Sequence, residues 1–216
     1  VGGMEGRILP GIQRERTVSR SISLRVSALR TQFDGGDLHG LRMSADEYLA
    51  LGETQQRYEL IDGVVCISPS ADARHNEVLF ELSGQLREVV RRRLVRVFPD
   101  TDVRFNAGVV YRPDLSIYRA ERISPRIERL PTPPDVVIEL LSPGSRSLDR
   151  VTKQADYGQF GVGEYWLIDP HDLTARVWNR AQGPWAEDRP CSTTLNSLTI
   201  PGVAIDLAAA RDSLDA

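Results

Sequence analysis

The segment that most constrains the fold is PDVVIELLS, residues 134–142, because its apolar residues run almost without interruption. A strand with one face in water alternates apolar and polar residues, whereas a strand buried on both faces does not. The segment therefore predicts a central β-strand that is covered on both faces. Glu139 breaks the apolar run, and an unpaired carboxylate in such a strand would be strongly destabilising.

The sequence before this strand carries helix and hairpin signals. Ser44 followed by Glu47 has the spacing of a capping box and predicts a short helix. The segment RYELIDGVVCIS predicts a β-hairpin, because Asp62 and Gly63 suit a tight turn between two apolar runs. From about residue 73 to residue 97, apolar residues recur at helical spacing and predict one long amphipathic helix.

After Pro99 the pattern changes to that of strands, which are predicted in TDVRFNAGVVY, DLSIYR, EYWLID and LTARVWNR, with a further β-like segment near TLNSLTI. Between the central strand and EYWLID, Ser147 is placed to begin a helix and Gly161 to end it. This order of elements predicts an α/β fold in which helices flank a mixed β-sheet.

Length and composition indicate one domain with short extensions. The 216 residues suffice for a single hydrophobic core. Residues 1–40 lack sustained periodicity and are predicted to be a flexible extension, residues 41–208 to be the domain, and residues 209–216 to be a tail. No apolar run approaches the roughly 18 residues that a membrane span needs, and the first residues carry no apolar signal segment, so a cytoplasmic protein is expected.

The charge distribution is uneven along the chain. The net charge of −3 argues against a protein that coats nucleic acid through bulk charge. The stretch from Arg87 to Arg129, however, contains eleven arginines and six acidic residues. Two interpretations stay open: a local basic face, or the solvated surface of a chain that uses arginine throughout.

Three carboxylates are candidates for chemistry. Glu139 requires a cation, a metal or a proton because it interrupts the most apolar strand. Asp114 follows Pro113 at the start of a strand, where a turn or edge residue is the simpler interpretation. Glu59 lies in the hairpin on the same side as an isoleucine, and an exposed hairpin glutamate is its simpler interpretation.

Lys153 is the only lysine, in a chain with 26 arginines. Asp149 and Tyr157 lie four residues on either side of it and so share its helix face. A solvated pair with Asp149 is one explanation, although arginine would form that pair equally well. The other explanation is that this position requires the compact ammonium group of a lysine. Carboxylates from neighbouring strands together with one lysine suit Mg²⁺-assisted hydrolysis of phosphodiester bonds.

Four segments resemble one family of proteins: RYELIDGVV, SPSADARHNEVLFEL, YRPDLSIY and VVIELLSPGSRSLDRVTKQADYGQFGVGEYWLIDP. Together, over about residues 41–180, they resemble the Uma-two family of restriction-endonuclease-type proteins, which lies within the PD-(D/E)xK nuclease superfamily. The resemblance implies a restriction-endonuclease-like core, an endonuclease activity on DNA, and Mg²⁺ or Mn²⁺ as the cofactor. A homodimer is considered as the assembly, although the sequence itself does not show the oligomeric state.

The resemblance also implies roles for individual residues. Asp114 corresponds to the motif aspartate and Glu139 to the acidic residue of the next strand. The superfamily's usual lysine position is occupied here by Leu141, and the resemblance implies that Lys153 of the following helix replaces it. Glu59 corresponds to the glutamate of the first hairpin, a further metal ligand or water-orienting group.

His75 matches a histidine that precedes the long helix in this family, and the sequence assigns no role to it. Its alternative interpretation is a polar residue that begins the helix. For the whole chain, three functions are weighed: a metal-dependent DNA endonuclease, a catalytically silent domain of the same fold that binds nucleic acid or protein, and a hydrolase of small phosphoesters. The combination of Asp114, Glu139 and Lys153 favours the endonuclease.

Overall fold

The structure is a computed structural model that describes residues 21–28, 37–68, 70–142, 148–181, 183–187 and 190–215. The chain divides into two compact units. One consists of Val1–Ile67 with Asn106–Val109, and the other of Ser68–Phe105 with Val110–Ala216. Within the described residues, no helix has the length and apolar character needed to cross a membrane.

In its described residues, the first unit contains two helices and a hairpin: α1 (residues 21–28), α2 (Ala45–Ala50), β1 (Tyr58–Ile61) and β2 (Val64–Ile67). The capping box predicted before α2 is confirmed, since Ser44 accepts from Glu47 N and the Glu47 carboxylate accepts from Ser44 N at 2.8 Å. The predicted hairpin is confirmed too. Its strands pair antiparallel, and Asp62 and Gly63 adopt the positive φ that its turn requires.

Helix α1 lies in the segment for which the sequence predicts a flexible extension. Its Val26 side chain is buried, and Arg25 forms a salt bridge of 2.8 Å with Glu47. A single turn or two of helix leaves too few apolar residues for a periodic pattern, so the sequence gives no signal for it. Residues 1–20 and 29–36 lie outside the described residues, and there the flexible extension stays a prediction.

The second unit contains four α-helices and ten strands in its described residues. Its elements are α3 (Ala73–Gln85), α4 (Arg87–Arg91), β3 (Val95–Pro99), β4 (Val103–Arg104), β5 (Val110–Tyr111), β6 (Leu115–Arg119), a 3₁₀ turn (Ala120–Arg122), β7 (Val136–Leu140), a π-helical segment (Leu148–Lys153), α5 (Gln154–Phe160), β8 (Glu164–Asp169), β9 (Thr174–Asn179), β10 (Ala186–Glu187), β11 (Thr194–Asn196), β12 (Ala204–Asp206) and α6 (Leu207–Leu214).

The main sheet has six strands in the order β10-β9-β8-β7-β6-β3. Strands β7 and β8 are parallel, and the other neighbours are antiparallel, so the sheet is mixed. Strand β7 lies inside the sheet between β6 and β8, and all five of its residues are buried. The central strand predicted from PDVVIELLS is therefore confirmed, as is the α/β fold with a mixed sheet.

Helices cover both faces of the sheet around β7. On one face, Val78 and Leu82 of α3 and Ala210 of α6 belong to the same buried cluster as Ile138 and Trp166. On the other face, Tyr157 of α5 contacts Tyr165, with ring centroids 4.9 Å apart. Tyr165 and Trp166 are consecutive strand residues and therefore point to opposite faces. This coverage explains why β7 has no polar face.

The long helix predicted to reach residue 97 is too long. Helix α4 ends at Arg91, and Val95 begins strand β3, which pairs with β6. Val90 and Leu94, which fitted the helical spacing, are exposed, whereas Val95 is fully buried. Pairing with β6 places alternate valines in the core, and this tertiary contact outweighs the local helical pattern.

The helix that begins after the central strand also differs from its prediction. Gly161 ends α5 with φ +87°, as predicted, but the segment before Gln154 is π-helical, and Ser147 lies outside the described residues. A π-helix bonds residue i to residue i+5, so its side chains rotate away from the α-helical register. Val151, which a regular α-helix with Lys153 on another face would turn towards the core, is accordingly 66% exposed.

Strands β10 and β12 and helix α6 lie in the part of the chain where the sequence predicts only a β-like segment. That segment corresponds to β11, which pairs with β12. The predicted boundary between domain and tail at residue 208 falls inside α6, whose Leu207 and Ala210 are buried.

We predict that Glu164→Ala lowers the free energy of unfolding by about 2–4 kcal/mol, because it removes the shared acceptor of buried donors. The Glu164 carboxylate is 1% exposed and accepts from Trp166 Nε1 at 2.9 Å, from Ser197 Oγ at 3.1 Å and from Thr199 N. Urea unfolding measures this loss.

The control is Glu187→Ala, which removes a partly exposed carboxylate paired with Arg176. It should cost less than about 1 kcal/mol. Equal losses in the two variants would contradict the structural role assigned to Glu164.

Candidate functional site

Asp114 and Glu139 are brought together by the antiparallel pairing of β6 and β7. Leu115 lies opposite Ile138, so the residue before β6 lies beside the fourth residue of β7. Asp114 N donates to Glu139 Oε2 at 3.4 Å, and Leu140 N donates to Asp114 Oδ2 at 2.7 Å. Each of the two acidic residues is 4% exposed. The backbone therefore fixes both carboxylates at the same end of the two strands.

Lys153 supplies the cation that Glu139 requires. Its Nζ lies 3.0 Å from Glu139 Oε1, and the lysine is 4% exposed. Tyr157, one helical turn further along, donates its hydroxyl to the same Oε1 at 2.9 Å. The interpretation of Glu139 as a carboxylate that needs a partner is thus confirmed. The side chain of Asp149 lies outside the described part of the chain, so the alternative pairing stays a prediction.

An aromatic group packs against the lysine. Lys153 Nζ lies 5.4 Å from the centroid of the Tyr111 ring, a distance typical of a cation–π contact. The Tyr111 hydroxyl in turn donates a hydrogen bond to Asp156. The Tyr111 and Tyr157 rings meet edge to face at 5.7 Å. The ammonium group is therefore held between a carboxylate oxygen and the Tyr111 ring, which limits both its movement and its contact with water.

His75 lies on the other side of Asp114. Its Nε2 is 3.3 Å from Asp114 Oδ1, and its side chain is buried. Asp72 caps α3 by accepting from the His75 backbone N–H at 2.8 Å, which places the imidazole in the first turn of that helix. The Nδ1 atom has no hydrogen-bond partner among the described residues. His75 is therefore more than a polar residue at the start of a helix.

Glu59 lies on β1 in the first unit, opposite Cys66 of β2. It is 2% exposed, so its interpretation as an exposed hairpin glutamate is wrong. Its assignment as a metal ligand stays a prediction. Burial, together with the negative charge of Glu59, raises the pKa of the Cys66 thiol.

The sequence identified Asp114, Glu139 and Lys153 and placed Tyr157 on the lysine's helix face. It gave no signal for Tyr111 or Asp156. Tyr111 stands in an ordinary apolar strand pattern, and its contact with Lys153 joins residues far apart in the chain. Only the three-dimensional arrangement of β5 and α5 reveals it.

The donor set fits a hard divalent cation. Among the described residues there is no group of three or more His, Cys, Asp or Glu side chains arranged to hold a metal. Mg²⁺ does not require such a group, because it commonly binds one or two carboxylates and completes its shell with water and phosphate oxygens. Asp114 and Glu139 provide two carboxylates that the backbone holds side by side.

The sequence and the fold were compared with those of known proteins. No curated protein matches the chain significantly. Among solved structures, the fold matches a protein from Anabaena variabilis described as "a putative nuclease belonging to DUF820". The TM-score is 0.65 and the sequence identity 25%, over 80% of this chain and 99% of that one.

The sequence model of the Uma2 family, described as "Putative restriction endonuclease", matches residues 45–209. This match includes Asp114, which immediately precedes β6, Glu139 of β7, and Lys153, which ends the π-helical segment before α5. The chain therefore belongs to the Uma2 family.

Proposed function

We propose that the protein is a metal-dependent endonuclease that hydrolyses phosphodiester bonds in DNA. The observation that carries this proposal is the pair of carboxylates, Asp114 and Glu139, that the backbone holds side by side next to Lys153. Two neighbouring carboxylates and a buried ammonium group are the chemistry that such hydrolysis requires. Membership of the Uma2 family and the similarity to a nuclease fold support the same conclusion.

Asp114 and Glu139 would hold Mg²⁺ or Mn²⁺, and Glu59 remains the third ligand proposed from the sequence. A bound divalent cation stabilises negative charge on the phosphoryl oxygens and makes a bound water more acidic. Within the protein, Leu140 N and His75 Nε2 contact the two oxygens of Asp114. These contacts fix the orientation of the carboxylate, so that no rearrangement is needed when substrate arrives.

Lys153 and Tyr157 act on the Glu139 side of the site. Both contact Oε1, which leaves Oε2 as the oxygen turned towards Asp114. The positive charge of Lys153 offsets the negative charge that develops on the phosphate during attack by water. The Tyr157 hydroxyl donates to the same oxygen and so helps to keep Glu139 in place beside Asp114.

The catalytically silent domain remains the alternative function. A buried ion pair can hold a fold together without taking part in any reaction. The geometry that favours an enzyme is the position of Asp114, because the Glu139–Lys153 pair does not need a second buried carboxylate for its own neutralisation. DNA is the proposed substrate, and the homodimer remains a proposal from the sequence.

We expect the purified protein to nick supercoiled plasmid DNA in the presence of Mg²⁺ or Mn²⁺ and to lose this activity when a chelator is added. Asp114→Asn and Glu139→Gln should each lower the rate at least about a hundredfold, because each removes a charged ligand. Glu88→Gln, which changes an exposed carboxylate paired with Arg92, is the matched control. Cleavage by both site variants at the rate of the parent would refute the proposed site.

We expect Mn²⁺ to raise the melting temperature, because a ligand that binds only the native state stabilises it by about 2.7 kcal/mol at a hundredfold excess over Kd. Asp114→Asn should abolish this response, while Glu88→Gln should retain it. The measurement is thermal unfolding with and without metal. An unchanged response in Asp114→Asn would place the metal elsewhere.

Lys153→Arg should keep the charge but displace it, since the wider guanidinium must share a buried space with the Tyr111 ring and Glu139. We expect a loss of about 10²–10³ in the single-turnover rate, as for removal of one stabilising donor. The cost in stability should stay within about 1–3 kcal/mol, the range for overpacking. Full activity in a folded arginine variant would remove Lys153 from the mechanism.

A further inference from the structure

A second cleft in the same unit gathers arginine side chains at the other end of the central strand. The arginine cleft, as we call it, has a volume of about 450 Å³ and is lined by Arg119, Arg122 and Arg180, with Asp135 among them. Asp135 immediately precedes β7, whereas Glu139 lies near the end of that strand. At roughly 3.3 Å per residue, the two acids are about 13 Å apart along the strand. The cleft is therefore distinct from the candidate active site.

The three arginines come from different parts of the sequence. Arg119 ends β6, Arg122 ends the 3₁₀ turn that follows it, and Arg180 follows β9. The first two belong to the arginine-rich stretch noted in the sequence, but Arg180 lies far outside it. The fold, and not the local composition, creates this concentration of positive charge.

Each guanidinium is held in place by the surrounding backbone. Arg119 donates to the carbonyl of Thr199 at 2.5 Å, and Arg122 donates to that of Pro133 at 2.7 Å. Arg180 Nε donates to the carbonyl of Val162 at 3.0 Å. A guanidinium has five N–H donors, so these contacts leave several donors on each side chain. The side chains are thus oriented before any ligand binds.

The charges of the cleft do not balance. Asp135 forms salt bridges with Arg119 at 3.0 Å and with Arg122 at 2.8 Å, and it is the only acidic residue that lines the cleft in the described part of the chain. Three positive charges therefore face one negative charge. The side chains of Arg119 and Arg122 are partly exposed and Arg180 is exposed, so the excess charge is accessible to a ligand.

The walls of the cleft are partly apolar. Pro133, Pro134 and Leu198 line it, and Leu198 is 48% exposed. Fixed guanidinium groups bind the oxygens of phosphate in a bidentate manner, and an apolar wall suits the sugar or base attached to that phosphate. We propose that the arginine cleft binds the phosphate ester of a nucleotide. The nucleotide is either free or part of a DNA strand, and only the second source rests on the proposed function.

The experiment compares Leu198→Glu with Leu198→Gln. Both replace an exposed side chain at the cleft with one of similar size, but only the glutamate brings a negative charge towards the arginines. Three probes are titrated by fluorescence anisotropy or calorimetry: a short labelled DNA duplex, a deoxynucleoside monophosphate and inorganic phosphate. A chelator is present throughout, so that binding is measured without cleavage.

We expect Leu198→Glu to weaken nucleotide binding by about three- to fivefold, the upper part of the range for a charge placed beside exposed guanidiniums, while Leu198→Gln changes it less than twofold. An effect on the duplex alone assigns the cleft to a DNA strand, and an effect on the monophosphate assigns it to a free nucleotide. Equal affinities of the two variants for both probes would overturn the proposal, as would binding of inorganic phosphate only.

A second pair of variants tests the arginines directly. Arg180→Gln removes one charge from the cleft, whereas Arg176→Gln removes a charge from β9 that pairs with Glu187 outside it. Only Arg180→Gln should weaken binding and reduce its dependence on salt. Because these titrations need no metal, a protein without nuclease activity would still bind the nucleotide. If the protein cleaves DNA but Arg180→Gln and Arg176→Gln bind the nucleotide with equal affinity, the proposed role of the cleft is wrong while the proposed nuclease activity stands.

Discussion

The buried carboxylate of Glu139 is the constraint on which the arrangement of the second unit depends. It stands in a strand that has no exposed face, so its charge must be met inside the protein. Lys153, the last residue of the π-helical segment, and Tyr157 of α5 both contact Oε1, and these contacts hold this helical stretch on the sheet. Such a pair adds little net stability over apolar residues of the same volume, although breaking it is strongly destabilising. Its presence therefore calls for an explanation other than stability, and the adjacent Asp114 provides one.

The parts of the fold that the sequence predicted are those in which a local pattern has a single physical meaning. The β-branched apolar run from Val136 to Ile138, preceded by two prolines, favours a strand covered on both faces, and the Asp62-Gly63 turn favours a tight hairpin. The end of the long helix was not predictable, because Val95 fits both a helical stripe and an alternating strand. The pairing of β3 with β6 decides between them, and that pairing joins residues with no local signal.

The candidate site likewise combines features that a local sequence pattern predicts with features that only the tertiary structure reveals. The apolar neighbours of Glu139 in the sequence show that its carboxylate needs a partner for its charge. The sequence also shows directly that the chain has a single lysine. The contact between these two residues depends on how the helical stretch that contains Lys153 packs on β7. Lys153 lies in a π-helical segment, which an α-helical sequence pattern does not predict. Tyr111 and His75 reach the site from elements distant in sequence. Likewise, the number of arginines between Arg87 and Arg129 indicated a basic stretch. Only the fold brings Arg180 into the same cleft as Arg119 and Arg122.

The structure offers a second explanation for why the single lysine of the chain is not an arginine. Lys153 is enclosed by Glu139 and the Tyr111 ring, and a guanidinium is wider than an ammonium group. Packing alone therefore disfavours arginine at this position, whether or not the residue takes part in a reaction. The absence of other lysines consequently says less about catalysis than the sequence suggests. The argument for chemistry rests instead on two carboxylates held side by side by the backbone, since a structural ion pair would require only one of them.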